Sequence, residues 1–183
     1  GYYSLQSNRI LLYDAGGSAE SQRQNLATVL HEATHQAAFN LGIHSRFAPP
    51  PLWVAEGLAT QFESPSAFAS DAGDRSAGVH RGWLQQFRTG AADHRPADLA
   101  GLIAGDGRFD RDPAAAYAES WALTHYLVHA LPRQFAEYLA RTASRPPLKP
   151  YTSAERTADF VASFGDNWPM LEARLLRFIA EIN

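Results

Sequence analysis

The sequence has no cysteine, which excludes disulfides and thiolate metal sites and leaves His, Asp, Glu and backbone oxygen as the groups that could hold a metal ion. Lysine is nearly absent too: Lys149 stands alone against 15 arginines. The net charge is -3 and neither sign is gathered into a run, so neither a nucleic acid nor an anionic lipid surface is the expected partner. No apolar stretch approaches the roughly 20 residues of a membrane-spanning helix. The N-terminus has no basic segment followed by an apolar one, so no signal peptide is read there. Because it starts at Gly1 rather than Met, the chain is read as a processed form or a piece of something longer. What is present is 183 residues with 45% hydrophobic content, enough for one core, and residues 1–183 are expected to form a single domain.

The strand signal lies at the start. Ile10-Leu11-Leu12-Tyr13 is a short apolar run closed by the turn formers Asp14-Ala15-Gly16-Gly17, with residues 2–5 as a neighbouring strand. Ser21 and Gln24 have capping-box spacing. Leu26, Val29, Leu30, Ala33, Ala37 and Leu41 then recur at helical spacing up to Gly42, which predicts a long, mostly buried helix over 22–41. Pro49, Pro50 and Pro51 interrupt, and a shorter helix restarts near Trp53 and runs to about Glu63. The stretch 64–111 is rich in Gly, Ala, Ser, Asp and Pro, with short helices expected over 83–88 and 97–104. Asp112-Pro113 is a strong helix start, the helix running to Leu131, and Pro132 begins another. Thr152 and Glu155 form a further capping box, Gly165 a stop, and Asp166 a cap for a last amphipathic helix using Leu171, Leu175, Phe178 and Ile182. The expected class is α+β, mainly α-helical, with a small N-terminal β-sheet.

The chemistry concentrates in His31-Glu32-Ala33-Thr34-His35, in the middle of the first helix. Residues four apart lie one above the other, so both imidazoles leave one face and can reach one ion. Glu32 is about 100° round the helix from His31, beside the ion, where a carboxylate can take a proton from water. A catalytic zinc takes three protein ligands and keeps a position open, so a third group is needed. Glu56 is preferred: it sits on the next helix, Gly57 beside it has no side chain to hold that helix off the first, and Trp53 and Leu58 supply apolar packing between the two. His44 is the competitor. It stands nine residues after His35, whereas the alternative arrangement needs Gly three and His six residues on, where Ala38 and Leu41 stand.

His31-Glu32-xx-His35 followed by Trp53-xx-Glu56-Gly57-Leu58-Ala59 resembles the gluzincin zinc metallopeptidases, in particular the peptidase MA-like domains of bacterial proteins. The resemblance runs from about Asn8 to Val128 and includes the later helix Tyr117-Ala118-Glu119-Ser120-Trp121-Ala122-Leu123-Thr124-His125-Tyr126-Leu127. It implies one zinc ion on His31, His35 and Glu56, Glu32 as general base, a peptide or protein substrate, and an extracytoplasmic location. It also implies that the strand over 9–13 borders the cleft, where an extended peptide pairs with its free edge. Thermolysin-like relatives carry a carboxylate four residues after the third ligand to orient a zinc-bound His. Here that place is Thr60, whose hydroxyl is the group available for the same hydrogen bond.

Tyr117 and His125 are the candidates for stabilising an oxyanion, since eight residues is close to two helical turns; a plain core stripe of Tyr117, Trp121 and Thr124 is the competing reading. His125 and His129 form a second four-residue pair with no acid after the first and no third ligand, and are read as structural. Asp106, Asp110 and Asp112 do not match a calcium loop and are read as turn and cap residues. Arg141 and Arg145 are read as a solvated helix end. The whole points to a zinc metallopeptidase with its subsite walls in 64–111. The rival is a binding or scaffold domain that keeps the metal site without the reaction.

Overall fold

The chain opens with a hairpin of β1 (Tyr2–Ser4) and β2 (Arg9–Leu11), antiparallel with Tyr2 opposite Leu11, Tyr3 opposite Ile10 and Ser4 opposite Arg9. This is a computed structural model, which describes residues 1–13, 16–63, 79–92 and 99–182. The second strand ends at Leu11, two residues short of the expected Tyr13. A two-stranded ribbon is marginal alone. Here it is pinned from two sides: the backbone carbonyl of Asn8, in the hairpin turn, accepts from Gln36 of the helix that follows at 2.8 Å, and its side chain accepts from Arg46, in the loop after that helix, at 2.6 Å. Of the expected turn at 14–17, residues 14–15 lie outside the described residues.

Helix α1 (Ala19–Asn40) is capped by Ser18, whose hydroxyl accepts from the Ser21 amide at 3.1 Å. The expected cap, Ser21, is thus the third residue of the helix. Ser18 takes the role because it is the last residue in extended conformation and follows two glycines. Nor is α1 mostly buried: Glu32, His35 and Ala38 are, while Leu26 and Val29 are 45% and 37% exposed. It packs on the hairpin and on α2 (Leu52–Thr60), and the face it buries is the one that carries the polar motif.

The remaining helices are α3 (Arg81–Ala92), α4 (Leu99–Ala104), α5 (Gly107–Arg111), α6 (Pro113–Ala130), α7 (Pro132–Ala143), α8 (Ser153–Phe164) and α9 (Trp168–Ala180). Residues 97–98 of the expected helix over 97–104 lie outside the described residues, and α5 lies in a segment read as turns. Asp112 caps α6 as expected, accepting from the Ala115 amide at 3.2 Å. Every residue of α6 from 118 to 127 is buried, because α2, α3, α5, α7 and α9 all pack against it. Trp53 points into this core, stacked on Tyr138 at 5.7 Å and edge-on to Phe160 at 6.0 Å. It therefore packs α2 against α7 and α8 and does not fill the space between α2 and α1. Thr152 and Glu155 close the capping box of α8, and Gly165 ends it at φ +85°. Asn167 caps α9 in place of Asp166, accepting from the Met170 amide at 3.1 Å. Arg145 is not merely solvated: its guanidinium lies 3.4 Å over the Tyr151 ring. The protein is mainly helical with a small antiparallel sheet, and among the described residues no helix is long and apolar enough to cross a membrane.

Candidate metal centre

Helix α1 presents His31 and His35 from successive turns, their ring centroids 4.7 Å apart at 81° and their Nε2 atoms 3.1 Å apart. Glu56 approaches from α2, with Oε2 3.1 Å from His31 Nε2 and 3.5 Å from His35 Nε2. Among the described residues this is the one group of His, Asp and Glu donors close enough to share an ion. Zinc bonds of 2.0 to 2.1 Å at tetrahedral angles put neighbouring ligand atoms about 3.3 to 3.4 Å apart, so three separations of 3.1 to 3.5 Å suit that ion. The donor set of two imidazoles and a carboxylate has the right chemistry as well. His44 is outside the group. It is buried against Phe39, ring centroids 5.3 Å apart, and burial holds its pKa down at about 4.

Without an ion the three groups hold one another. Burial acts to lower the His31 pKa, but hydrogen bonds to Glu56 and Glu63 outweigh it and lift the pKa to about 9. Burial acts to raise that of Glu56, but the hydrogen bonds of His31 and His35 outweigh it and bring the pKa down to about 2. Carboxylates thus surround His31 with negative potential, which a divalent cation would exploit.

Glu32 is buried beside this group, and its Oε2 accepts from the Tyr3 amide at 2.6 Å. The strand against the site is therefore β1. The resemblance implies the strand over 9–13 at the cleft; β2 packs on α1 as well, but the backbone amide that reaches Glu32 belongs to β1. Tyr3 also lays its ring along Phe39 at 5.8 Å and His35 at 6.5 Å.

Gly57 has the role of a close-approach residue, but toward a different partner from the one expected. A Cβ there would meet Thr124 Oγ1 and the Ser120 carbonyl, so the missing side chain seats α2 on α6 and not on α1. Thr60 does not orient a ligand: it is fully buried and its hydroxyl donates to the Gly57 carbonyl at 2.9 Å, within its own helix. The group that orients His31 is Glu63, whose Oε1 lies 2.7 Å from His31 Nδ1. Glu63 lies beyond the last residue of α2, so helical spacing from Glu56 does not point to it. Its Oε2 accepts from Trp83 Nε1 at 2.8 Å.

Of the two oxyanion candidates, only Tyr117 reaches the site. Its ring centroid is 6.4 Å from that of His31, and it is sandwiched by a stack on Trp83 at 5.7 Å and the edge of Phe109 at 5.5 Å. Burial, then the Glu56 carboxylate, push its pKa well up, so the phenol is a proton donor. His125 is in the core, stacked on Trp121 at 5.1 Å with Nδ1 3.0 Å from Gln61 Oε1. Two turns bring it round to a similar face but also carry it about 12 Å along the axis. Of the expected subsite walls over 64–111, residues 64–78 and 93–98 lie outside the described residues.

No curated protein and no solved structure matches this chain. A protein family does match, over residues 25–149, from the first helix with its His and Glu residues past the end of α7. The chain belongs to that family, DUF1570, which is described as a protein of unknown function.

Proposed function

We propose that this chain is a zinc-dependent metallopeptidase of gluzincin type, holding one ion on His31, His35 and Glu56. The observation that carries the reading is the convergence of those three donor atoms at 3.1 to 3.5 Å, with an anchored carboxylate, Glu32, beside them. Zinc held there supplies Lewis acidity, polarising a carbonyl and acidifying water. Glu32 uses one oxygen to accept the Tyr3 amide and keeps the other for proton transfer. It takes a proton from water as the water oxygen bonds to the peptide carbon, and delivers it to the nitrogen as the C–N bond breaks. The protonated phenol of Tyr117 donates to the oxygen that gains charge. An intact Glu32 favours this reading over a non-catalytic binding or scaffold domain, since a purely structural site needs no base.

The test is Glu32→Gln. The amide oxygen of Gln can still accept from Tyr3, so fold and bound zinc, measured by elemental analysis, should stay as in wild type. Cleavage of a broad peptide library, read by mass spectrometry, should fall by about 10²- to 10⁴-fold. A zinc-loaded wild type that cuts nothing would give the site to the binding-domain reading. Equal cutting by both forms would place the activity elsewhere.

A further inference from the structure

We infer that His80 and Trp83, at the start of α3, are positioning residues for the metal ligand His31, acting through the carboxylate of Glu63. The inference rests on the metal-site reading above and adds residues outside the motif that suggested it.

The Trp83 backbone amide donates to His80 Nδ1 at 3.1 Å, so Nδ1 is an acceptor and the proton of the neutral ring sits on Nε2. That Nε2 points at Glu63 Oε2, 3.2 Å away. The Trp83 indole N–H can only donate, and it donates to the same oxygen at 2.8 Å. Two donors on Oε2 fix the carboxylate plane and leave Oε1 to accept from His31 Nδ1 at 2.7 Å. With Nδ1 held by Glu63, Nε2 is the nitrogen turned toward Glu56 and His35, the side of the ring from which an ion would be ligated.

Two local features serve this arrangement. His80 caps α3 with an imidazole, so the cap of the helix and the support of Glu63 are one side chain. Gly82 makes room for the ring: a Cβ there would lie 3.0 Å from His80 Cε1 and 3.3 Å from Nδ1. Glu63 lies past the end of α2, where no helix of its own orients it, so its geometry must be supplied from outside. The stack of Trp83 on Tyr117 closes the ring of contacts on the far side.

The experiment measures the zinc dissociation constant of the purified chain by competition with a chromophoric chelator. Trp83→Phe keeps an aromatic ring against Tyr117 and removes only the indole donor. His80→Asn keeps a side chain able to cap α3 and removes the donor to Glu63. Each should weaken zinc binding about 10-fold, and Glu63→Gln more, within the roughly 10- to 100-fold span of groups that orient a ligand. Trp168→Phe, half-buried and stacked on Phe160 of the core, should leave the constant unchanged. The loss from Trp83→Phe should also shrink toward nothing in a Glu63→Ala background, because the effect passes through that carboxylate and alanine leaves no oxygen for the indole N–H. Wild-type affinity in both Trp83→Phe and His80→Asn overturns the inference while leaving the metal site standing, as do losses that add fully in the double variant. A wild type that binds no zinc overturns the metal site itself and the inference with it.

Discussion

Gly57 meets Ser120 so closely that a Cβ at residue 57 would stand 2.6 Å from the Ser120 carbonyl oxygen, and it would lie nearer still to Thr124 Oγ1. The oxygen belongs to the backbone of a buried helix and cannot swing away. In Gly57→Ala the gain from removing a helical glycine, about 0.5 to 1 kcal/mol, opposes an overpacking cost of about 1 to 3 kcal/mol. The cost should win. Because Glu56 is the neighbouring residue, pushing α2 off α6 also moves the carboxylate of the candidate metal group. A lower denaturant midpoint together with reduced zinc affinity is expected; a midpoint equal to wild type would show that α2 and α6 can separate freely.

Thr60 and Glu63 make opposite predictions. The Thr60 hydroxyl is spent on the Gly57 carbonyl, so Thr60→Val should cost about 1 kcal/mol of stability and leave zinc affinity as it was. Titration with zinc after a denaturant melt separates the two effects. A tenfold loss of zinc in Thr60→Val would return the hydroxyl to the site.

The start of α2 is held from a distance. Arg156 grips Asp106 with both terminal nitrogens, at 2.6 and 2.8 Å, and Asp106 Oδ1 accepts from the Leu52 amide at 3.2 Å. Proline residues precede Leu52, so α2 has no side-chain cap of its own. Asp106→Ala should lower stability by about 2 kcal/mol, seen as a lower melting temperature. An unchanged melting temperature would make the ion pair incidental.

What the sequence made legible was local. Two His four apart on one helix, Asp112 before Pro113, Thr152 three before Glu155 and Gly165 at a helix end each act within one or two turns, so spacing alone predicts the geometry. Partners across the fold were harder. The glycine at 57 advertises a close approach without saying to which helix, and the answer, α6, depends on how the core closes. Trp53 likewise advertises burial, and its neighbours Tyr138 and Phe160 come from helices 80 or more residues away. Glu63 lies beyond the helix that would have set its direction, and its partners His80 and Trp83 follow a stretch with no periodic signal. Among neighbouring hydroxyls, Ser18 and Ser21 could each have capped α1, and only the chain conformation chooses.

On the proposed zinc site, linkage gives the metal-free and metal-bound forms opposite pH dependences. Without the ion, the folded-state pKa of His31 is about 9 against an ordinary 6.5, so its contribution is fully present below pH 6.5 and is lost as pH rises toward 9. Glu56, brought down to about 2 from 4.5, contributes above pH 4.5 and loses its part as pH falls toward 2. The metal-free protein should therefore gain most from this cluster between pH 4.5 and 6.5, with stability declining through the alkaline side of neutrality. With zinc the sign reverses for His31, because the ion needs the ring neutral and each competing proton costs up to about 1.4 kcal/mol per pH unit. Thermal melts in chelator and in saturating zinc, from pH 5 to 9, should draw apart as pH rises, the zinc-bound form gaining on the metal-free one. Parallel curves would mean that zinc does not compete with protons at His31, and this residue would then not be its ligand.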